Sequence, residues 1–270
     1  MANLVFFHAH PDDEAISTGG TMALMADAGH RVILVCATRG EMGEPAEGVL
    51  EPGELLGDRR EAELRHSCDV LGVDALEFLG YKDSGMVGEP SNDDPTCFWQ
   101  ADPDEAAERM AVLLRTYECD VLVGYDPHGV YGHPDHIKVH TVGARAAELA
   151  GIDRVFWATA NRDLINQARE EGQFGDEDLD DDERVDMDIF GMPESEITHA
   201  IDVSAALDRK RASLAAHASQ ITDESFFLAM DDEQFAQAFG TEWMVDAARH
   251  AASHQRVGEL QTALLDPAHG

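Results

Sequence analysis

The 270-residue chain is poor in cysteine and lacks long apolar segments. Its four cysteines show no CxxC spacing, which indicates reduced thiols in a cytoplasm. No apolar run approaches the roughly 18 residues that a membrane span needs. The first apolar run, Leu4–Phe7, is too short for a signal peptide and is followed at once by His8 and His10. These absences predict a soluble, cytoplasmic protein.

Basic residues are also scarce. The chain has 19 Lys plus Arg against 54 Asp plus Glu, which gives a formal net charge of −35 at pH 7. Because such a surface repels phosphates and anionic lipid headgroups, neither a nucleic acid nor a membrane is expected as a partner. An acidic coat suited to high salt and ordinary acidity raised by one local run both account for the excess.

Short apolar runs alternate with longer amphipathic stretches over the first 160 residues. Strands of about five apolar residues that alternate with helices predict an α/β fold, with a mostly parallel sheet and helices on both faces. The predicted strands are Leu4–His8, Arg31–Thr38, Ala75–Gly80, Val121–Tyr125 and Val155–Ala158. The predicted helices are Glu14–Ala28, Gly57–Leu71, Asp104–Tyr117 and Pro134–Ala150.

The remaining residues are expected to form a smaller C-terminal extension. The domain prediction is a catalytic core at 1–160 and an extension at 161–270 that packs on the same domain. Its acidic loop, 172–196, is expected to be solvated because carboxylates dominate it. After the loop, Ile197–Val203 is predicted as a strand and Ser204–Ser219 as a helix.

Two His-Pro-Asp motifs follow predicted strands. His10-Pro11-Asp12-Asp13-Glu14 comes after the first strand, and His133-Pro134-Asp135-His136 comes after the fourth. Either motif alone is explained as a helix start, since proline and acidic residues are favoured in the first turn. Together they place histidines and carboxylates at the sheet edge where open α/β folds bind ligands.

The residue types at this edge indicate a cation rather than a phosphate. A nucleotide-binding fold has glycines there, whereas carboxylates in the first turn repel phosphate and attract a metal ion. Two histidines, one carboxylate and an open position suit catalytic zinc, and a second carboxylate can remove a proton from the attacking water. A non-haem iron oxygenase uses a similar ligand set and stays an alternative.

At these motifs the sequence resembles the PIG-L/LmbE-like zinc-dependent deacetylases, which remove N-acetyl groups from glucosamine-containing substrates. The likeness covers about the first 160 residues well and returns weakly near residue 215. It rests on the segments HAHPDDE (8–14), ATRGEMGE (37–44), RREAEL (59–64), YKDSGM (81–86), YDPHGVYGHPDH (125–136) and KRASLAAHASQ (210–220). The resemblance implies a Rossmann-like fold and a metal-dependent N-deacetylase.

The resemblance also assigns the metal site and its base. It implies a Zn²⁺ cofactor, with Fe²⁺ as the alternative ion. Asp12 matches the general base, and His133 matches a residue that stabilises the tetrahedral intermediate and protonates the leaving amine. A charged His133 is expected, because the surrounding carboxylates favour it. The implied metal ligands are His10, Asp13 and His136.

Further residues receive roles from the same resemblance. Tyr131 matches a tyrosine that polarises the acetamide carbonyl, and Asp135 is expected to orient a neighbouring imidazole. Arg60 and Asp83 match residues that contact the sugar. A surface ion pair on its own helix is the alternative for Arg60, and a turn-forming role is the alternative for Asp83. His217 is expected to be a packed or capping residue.

The expected partner is a small amino-sugar substrate. An inositol-linked N-acetylglucosamine of mycothiol biosynthesis is favoured, and an amidase of thiol S-conjugates or a deacetylase of another N-acetylated sugar are the alternatives. The stretch 163–196 departs from the family pattern and leaves the aglycone open. A non-catalytic binding protein is disfavoured by the intact Asp12 and His133. The resemblance allows a homo-oligomer, but no apolar patch in the sequence identifies an interface.

Overall fold

A computed structural model describes residues 1–171 and 189–252. The greater part of the predicted acidic loop, 172–188, lies outside the described residues. Within the described ranges, no helix combines the length and the apolar character that a bilayer crossing requires.

One seven-stranded sheet carries the described fold. Its strand order is β3-β2-β1-β4-β5-β7-β6, with β1 to β5 parallel and β7 antiparallel to both of its neighbours. The predicted mostly parallel α/β sheet is therefore confirmed. The strands are β1 (Asn3–His8), β2 (Arg31–Cys36), β3 (Ala75–Phe78), β4 (Val121–Tyr125), β5 (Val155–Thr159), β6 (His199–Asp202) and β7 (Thr241–Asp246).

The central strands are buried on both faces. In β1, Val5 pairs with Ile33 of β2 on one side and with Leu122 of β4 on the other. All three side chains are at most 1% exposed, as expected for parallel strands that helices cover from both sides. The continuous apolar runs of the sequence reflect this double burial.

The helices match the predicted pattern in most places. Pro134–Ala150 has the predicted bounds, and the other long helices differ from prediction by one residue at either end, within the usual uncertainty of helix ends. The helices are α1 (Asp13–Ser17), α2 (Gly19–Asp27), α3 (Leu56–Leu71), α4 (Pro103–Thr116), α5 (Gly129–Gly132), α6 (Pro134–Ala150), α7 (Arg162–Glu170), α8 (Leu207–Ala216), α9 (Phe226–Ala229), α10 (Asp232–Phe239) and α11 (Ala247–Ala252).

The single helix predicted over Glu14–Ala28 is wrong, because the chain breaks at Thr18. Thr18 leaves the helical region at φ −140°, and its hydroxyl lies 2.9 Å from Nε2 of the buried His8. A Cβ on Gly20 would come within 2.5 Å of Val203, so only glycine lets α2 pack so close to the C-terminal segment. The break separates the short helix that carries the first motif from the longer α2.

The C-terminal region is more extensive than predicted. Its strand shortens to β6, and its helix begins as a 3-10 turn at Ser204–Ala206 before α8. Strand β7 was not predicted, although it lies between β5 and β6 in the sheet. The buried Lys210 of α8 ion-pairs with Glu242 of β7 at 2.6 Å, so this region is tied together by a desolvated charge pair.

Candidate active site

The two His-Pro-Asp motifs meet at the carboxyl ends of β1 and β4. These strands are neighbours at the point where the strand order reverses, which is the usual ligand site of an open α/β sheet. The His10 ring centroid lies 4.6 Å from that of His133 and 5.4 Å from that of His136. All three histidines are at most 6% exposed. The fold therefore joins two motifs that are more than 120 residues apart in sequence.

The three predicted metal ligands are in mutual contact. Asp13 Oδ1 lies 3.2 Å from Nε2 of His136, and Asp13 Oδ2 lies 3.5 Å from Nδ1 of His10. The His10 backbone N–H also donates to Asp13 Oδ2 at 2.8 Å, which orients the carboxylate. Both imidazoles thus face one carboxylate, the ligand types that a catalytic metal ion requires.

His10 presents two different neighbourhoods at its ring nitrogens. Nε2 lies 3.2 Å from Asp135 Oδ2 and 3.4 Å from Asp83 Oδ1, whereas Nδ1 faces Asp13. Burial lowers the pKa of His10, but the charges of Asp83, Asp13 and Asp135 outweigh it and raise that pKa well above its usual value. A proton kept on Nε2 by Asp135 leaves the Nδ1 lone pair for a metal, as outer carboxylates commonly do.

His136 supplies the observation that tests whether a metal fits. Both of its ring nitrogens are buried and form no hydrogen bond among the described residues, although Nε2 lies 3.2 Å from Asp13 Oδ1, and the ring stacks on Tyr125 at 4.5 Å. Buried imidazole nitrogens without hydrogen bonds are costly unless another ligand completes them. One nitrogen from each of His10, His133 and His136 lies within 4.8 Å of the others. The donors fit a divalent ion, and the contacts of Asp13 distinguish His10 and His136 from His133.

Asp12 lies beside this cluster in an unusual backbone conformation. Its φ is 105° and its ψ −30°, a region that L-residues rarely occupy and that is commonly associated with functional sites. Its Oδ2 accepts a hydrogen bond from Arg60 Nη2 at 3.0 Å. Burial raises the pKa of Asp12 to about 6, against the opposing charge of Arg60. Asp12 is therefore a desolvated carboxylate next to the metal-ligand cluster, as a general base must be.

Arg60 is not the surface ion pair that was one of its two interpretations. It is only 4% exposed, and its guanidinium donates to the carbonyl oxygens of Gly40 and Pro11 as well as to Asp12. The acids on its own helix have other partners, since Glu61 binds Arg65 and Glu63 binds Ser219. Arg60 thus belongs to the interior of the site, where its contact with a sugar stays a prediction.

His133 stands at the N-cap of helix α6. Its Nδ1 accepts the Asp135 backbone N–H at 3.1 Å, so the ring caps the helix. Burial and the neighbouring His10 and His136 lower the pKa of His133 to about 2. Desolvation and the two nearby rings thus outweigh the carboxylates and favour the neutral ring, while the charged imidazole implied by the family resemblance stays a prediction. An acceptor at Nδ1 places the proton of the neutral ring on Nε2.

Tyr131 lies on the short helix α5, which separates β4 from the second motif. Its ring centroid is 4.9 Å from that of His136, and the residue is half-buried. The preceding Val130 has φ 66° and ψ −55°, a strained conformation for a β-branched residue. The buried Asp126 accepts the Val130 N–H at 3.1 Å and holds this turn in place. The phenol is therefore presented to the cluster by a constrained loop.

Asp83 and Asp135 complete the acidic side of the cluster. Asp83 Oδ1 accepts the Gly85 N–H at 2.9 Å, so the turn-forming role exists alongside the contact with His10. Asp135 Oδ2 accepts the Ser84 N–H at 2.9 Å, and Ser84 Oγ donates to its other oxygen. Burial raises the pKa of Asp83, but the charge of His10 outweighs it, and the net pKa is lowered. The imidazole next to the Asp135 carboxylate is thus that of His10.

Two supporting groups were missed by sequence reasoning. His8 Nδ1 lies 2.6 Å from the Tyr125 hydroxyl, behind the ring that stacks on His136. Glu14 binds His217 at 2.7 Å, and both side chains are fully buried. His217 is the C-cap residue of α8, as a packed or capping residue would be. The sequence feature that could have identified these groups is that ionisable residues stand inside the HAHPDDE and KRASLAAHASQ segments.

Comparisons with known proteins agree with this geometry. The model of the PIG-L family, described as GlcNAc-PI de-N-acetylase, matches residues 5–147. Two relatives are named 1D-myo-inositol 2-acetamido-2-deoxy-alpha-D-glucopyranoside deacetylase. The protein from Acidothermus cellulolyticus is 41% identical over 91% of this chain and 88% of its own length. The protein from Thermomonospora curvata is 38% identical over 92% of each chain.

A solved structure has the same fold at low sequence identity. The N,N'-diacetylchitobiose deacetylase from Pyrococcus horikoshii superimposes with a TM-score of 0.59 at 19% identity, over 90% of this chain and 82% of the other. Since the family model covers more than half of the sequence and the two relatives match nearly all of it, the chain belongs to the PIG-L family of GlcNAc-PI de-N-acetylases and is an N-deacetylase.

Proposed function

We propose that this deacetylase uses zinc to hydrolyse the acetamide of an inositol-linked N-acetylglucosamine. The observation that carries the proposal is the buried ring of His136. Its nitrogens form no hydrogen bond among the described residues, its Nε2 lies 3.2 Å from Asp13 Oδ1, and the desolvated Asp12 precedes Asp13 in the chain. The two relatives named above act on a substrate of this class by their names, and each matches about nine-tenths of this chain.

His10, Asp13 and His136 would hold the metal. A bound divalent ion supplies an acidified water and polarises the substrate carbonyl. Asp12 would accept the proton of the attacking water. Its carboxylate directly precedes the ligand Asp13 in the chain, and its one side-chain hydrogen bond among the described residues is with Arg60. Asp83 and Asp135 fix the ring of His10 through its Nε2.

His133 and Tyr131 would stabilise the negative charge of the tetrahedral intermediate, a role supported by their rings, whose centroids lie 5.2 Å and 4.9 Å from that of the ligand His136. A neutral His133 offers its Nε2–H, since Nδ1 accepts the backbone N–H of Asp135. Burial raises the pKa of Tyr131, so its hydroxyl stays protonated as a donor. The leaving nitrogen would take its proton either from His133, as the family resemblance implies, or from Asp12, which has taken one from the attacking water.

The experiment measures amine release by the purified, zinc-loaded chain. We expect the inositol-linked N-acetylglucosamine to be hydrolysed with a higher kcat/KM than free N-acetylglucosamine or an S-conjugate of the same scaffold. Asp12→Ala should abolish turnover while metal content, measured by elemental analysis, stays near that of the wild type. Equal turnover of the free sugar would contradict the inositol preference, and retained activity in Asp12→Ala would contradict the base assignment.

The same preparation separates zinc from iron. Chelation followed by readdition of one ion at a time should restore amine release with Zn²⁺. Restoration by Fe²⁺ alone would favour the alternative cofactor, and oxygen consumption with a keto-acid would favour the oxygenase reading.

A further inference from the structure

The peptide unit between Pro11 and Asp12 is held at both of its polar atoms. Arg60 Nη2 donates to the Pro11 carbonyl oxygen at 2.5 Å, and the Asp12 N–H donates to Glu14 Oε2 at 3.0 Å. The same guanidinium nitrogen binds the Asp12 carboxylate at 3.0 Å. Backbone and side chain of the proposed base are thus held by two side chains, Arg60 of α3 and Glu14 of α1. We call this unit, residues 11–12, the clamped peptide.

Glu14 holds the clamped peptide through Oε2, while its other oxygen, Oε1, is fixed by separate hydrogen bonds. Oε1 accepts from His217 Nε2 at 2.7 Å and from the hydroxyl of Ser67, which in turn lies 2.7 Å from the Ser213 hydroxyl. Glu14, His217, Ser67 and Ser213 are all 0% exposed. A carboxylate with this many buried partners has one orientation, so the direction of Oε2 is set as well.

The clamp explains how Asp12 keeps its unusual φ. Rotation of the peptide unit would bring φ to an ordinary negative value, but it would also remove the hydrogen bonds of the Pro11 carbonyl and the Asp12 N–H. A strained conformation persists only where its surroundings over-determine it. A simple helix cap does not account for the arrangement, because the Asp12 side chain makes no capping bond to α1.

We propose that Glu14 and His217 are positioning residues for Asp12: they hold the clamped peptide so that the base carboxylate faces the proposed metal site. The inference rests on the proposed function and extends it to the C-terminal region, since His217 follows α8. Among the described residues, the side chain of His217 forms its hydrogen bond with Glu14, so its contact with the clamped peptide runs through that carboxylate. The C-terminal segment thereby becomes part of the catalytic apparatus.

The test compares two substitutions at Glu14. Glu14→Met removes both acceptor oxygens at similar volume, and we expect kcat to fall about 100-fold, the typical cost of a base displaced by about 1 Å. Glu14→Gln keeps one oxygen for the Asp12 N–H. Its amide hydrogens face Ser67 Oγ and His217 Nε2, which accepts when the neutral ring carries its proton on the unpartnered Nδ1, so this variant should recover most of that kcat. KM and metal content should stay near wild type in both, and hydrogen exchange at the Asp12 amide should accelerate only in Glu14→Met.

Glu63→Met is the matched control, because Glu63 is another buried carboxylate that binds Ser219 and has no contact with the clamped peptide among the described residues. Its kcat should equal that of the wild type. A wild-type kcat in Glu14→Met, a loss confined to KM or metal content, or a failure of Gln to recover kcat would overturn the proposal.

If Glu14→Met does not fold, His217→Leu carries the test. The expected result is again a lower kcat at unchanged KM, and a wild-type kcat overturns the proposal. An inactive wild-type chain would instead contradict the proposed function, so the two failures are distinguishable.

Discussion

The two His-Pro-Asp motifs have the same first three residues but start their helices differently. In the second motif the helix begins at Pro134, and His133 is an ordinary N-cap with φ −61° whose ring accepts the Asp135 N–H. In the first motif the helix begins only at Asp13, and Asp12 stands in the N-cap position with φ 105° and no capping bond. The third residue is thus inside the helix in one motif and outside it in the other.

This shift of the helix start gives identical residues different chemistry. Asp135, within the first turn of α6, is directed at Ser84 and His10 and serves as a support. Asp12, held outside α1, is left with Arg60 as its hydrogen-bond partner and is available as a base. The motif letters alone do not separate these roles, because the difference lies in which backbone groups Glu14 and Arg60 bind.

The largest expected difference concerns the first residue of each motif. His10→Ala should remove a metal ligand, so metal content and turnover should both fall to near zero. His133→Ala should keep its metal and lose about 10²–10³ in kcat, the usual cost of one oxyanion donor. Elemental analysis and amine release on the two purified variants check this.

Equal metal loss in both variants would contradict the different roles of the two histidines. It would favour His133 as a ligand, in line with the grouping of His10, His133 and His136 nitrogens within 4.8 Å. His140→Ala is a control, because His140 lies on the same helix as His136 and its Nδ1 binds the Tyr125 carbonyl oxygen.

A smaller effect is expected at the third residue of the second motif. Asp135→Asn keeps the shape of the side chain but weakens its hold on His10 Nε2. We expect a 10- to 100-fold loss of metal affinity or activity, as for other outer-shell partners of metal ligands. Titration of the metal-free Asp135→Asn variant and of the metal-free wild-type protein with Zn²⁺ measures the change in metal affinity. Unaltered affinity and activity would show that Asp83 alone fixes the ring.

Local patterns predicted the surroundings of the second motif well and the C-terminal region poorly. An apolar run predicts strand β4, and a proline at the first position with a glycine at the C-cap predicts helix α6. Each of these signals is contained within one segment of the chain. Strand β7 pairs with β5 and β6, both remote in sequence, so no local pattern reports its position. The break at Thr18 likewise depends on His8 and on the close packing of Gly20 against Val203.

The site shows the same division between local and distant information. The identities of the ligand and base candidates were contained in the two motifs and in the family resemblance. The φ of Asp12 was not, because it depends on two contacts that the motif pattern does not report, the hydrogen bond of the Asp12 N–H to Glu14 and the guanidinium of Arg60. The sequence therefore predicted which side chains come together, and it left open the backbone conformation that orients them.

The smallest expected effect is the most direct measure of the backbone conformation at Asp12. At Asp12, both Gly and Ala remove the carboxylate, but only Gly adopts φ 105° without strain. Asp12→Gly should therefore unfold with a free energy about 1 kcal/mol higher than Asp12→Ala. At Asp135, inside α6, the order should reverse, with Gly about 1 kcal/mol less stable than Ala. Denaturant unfolding of the four variants measures both differences. If Asp12→Ala is as stable as Asp12→Gly or more stable, Asp12 is not strained, and the clamp around residues 11–12 loses its physical basis.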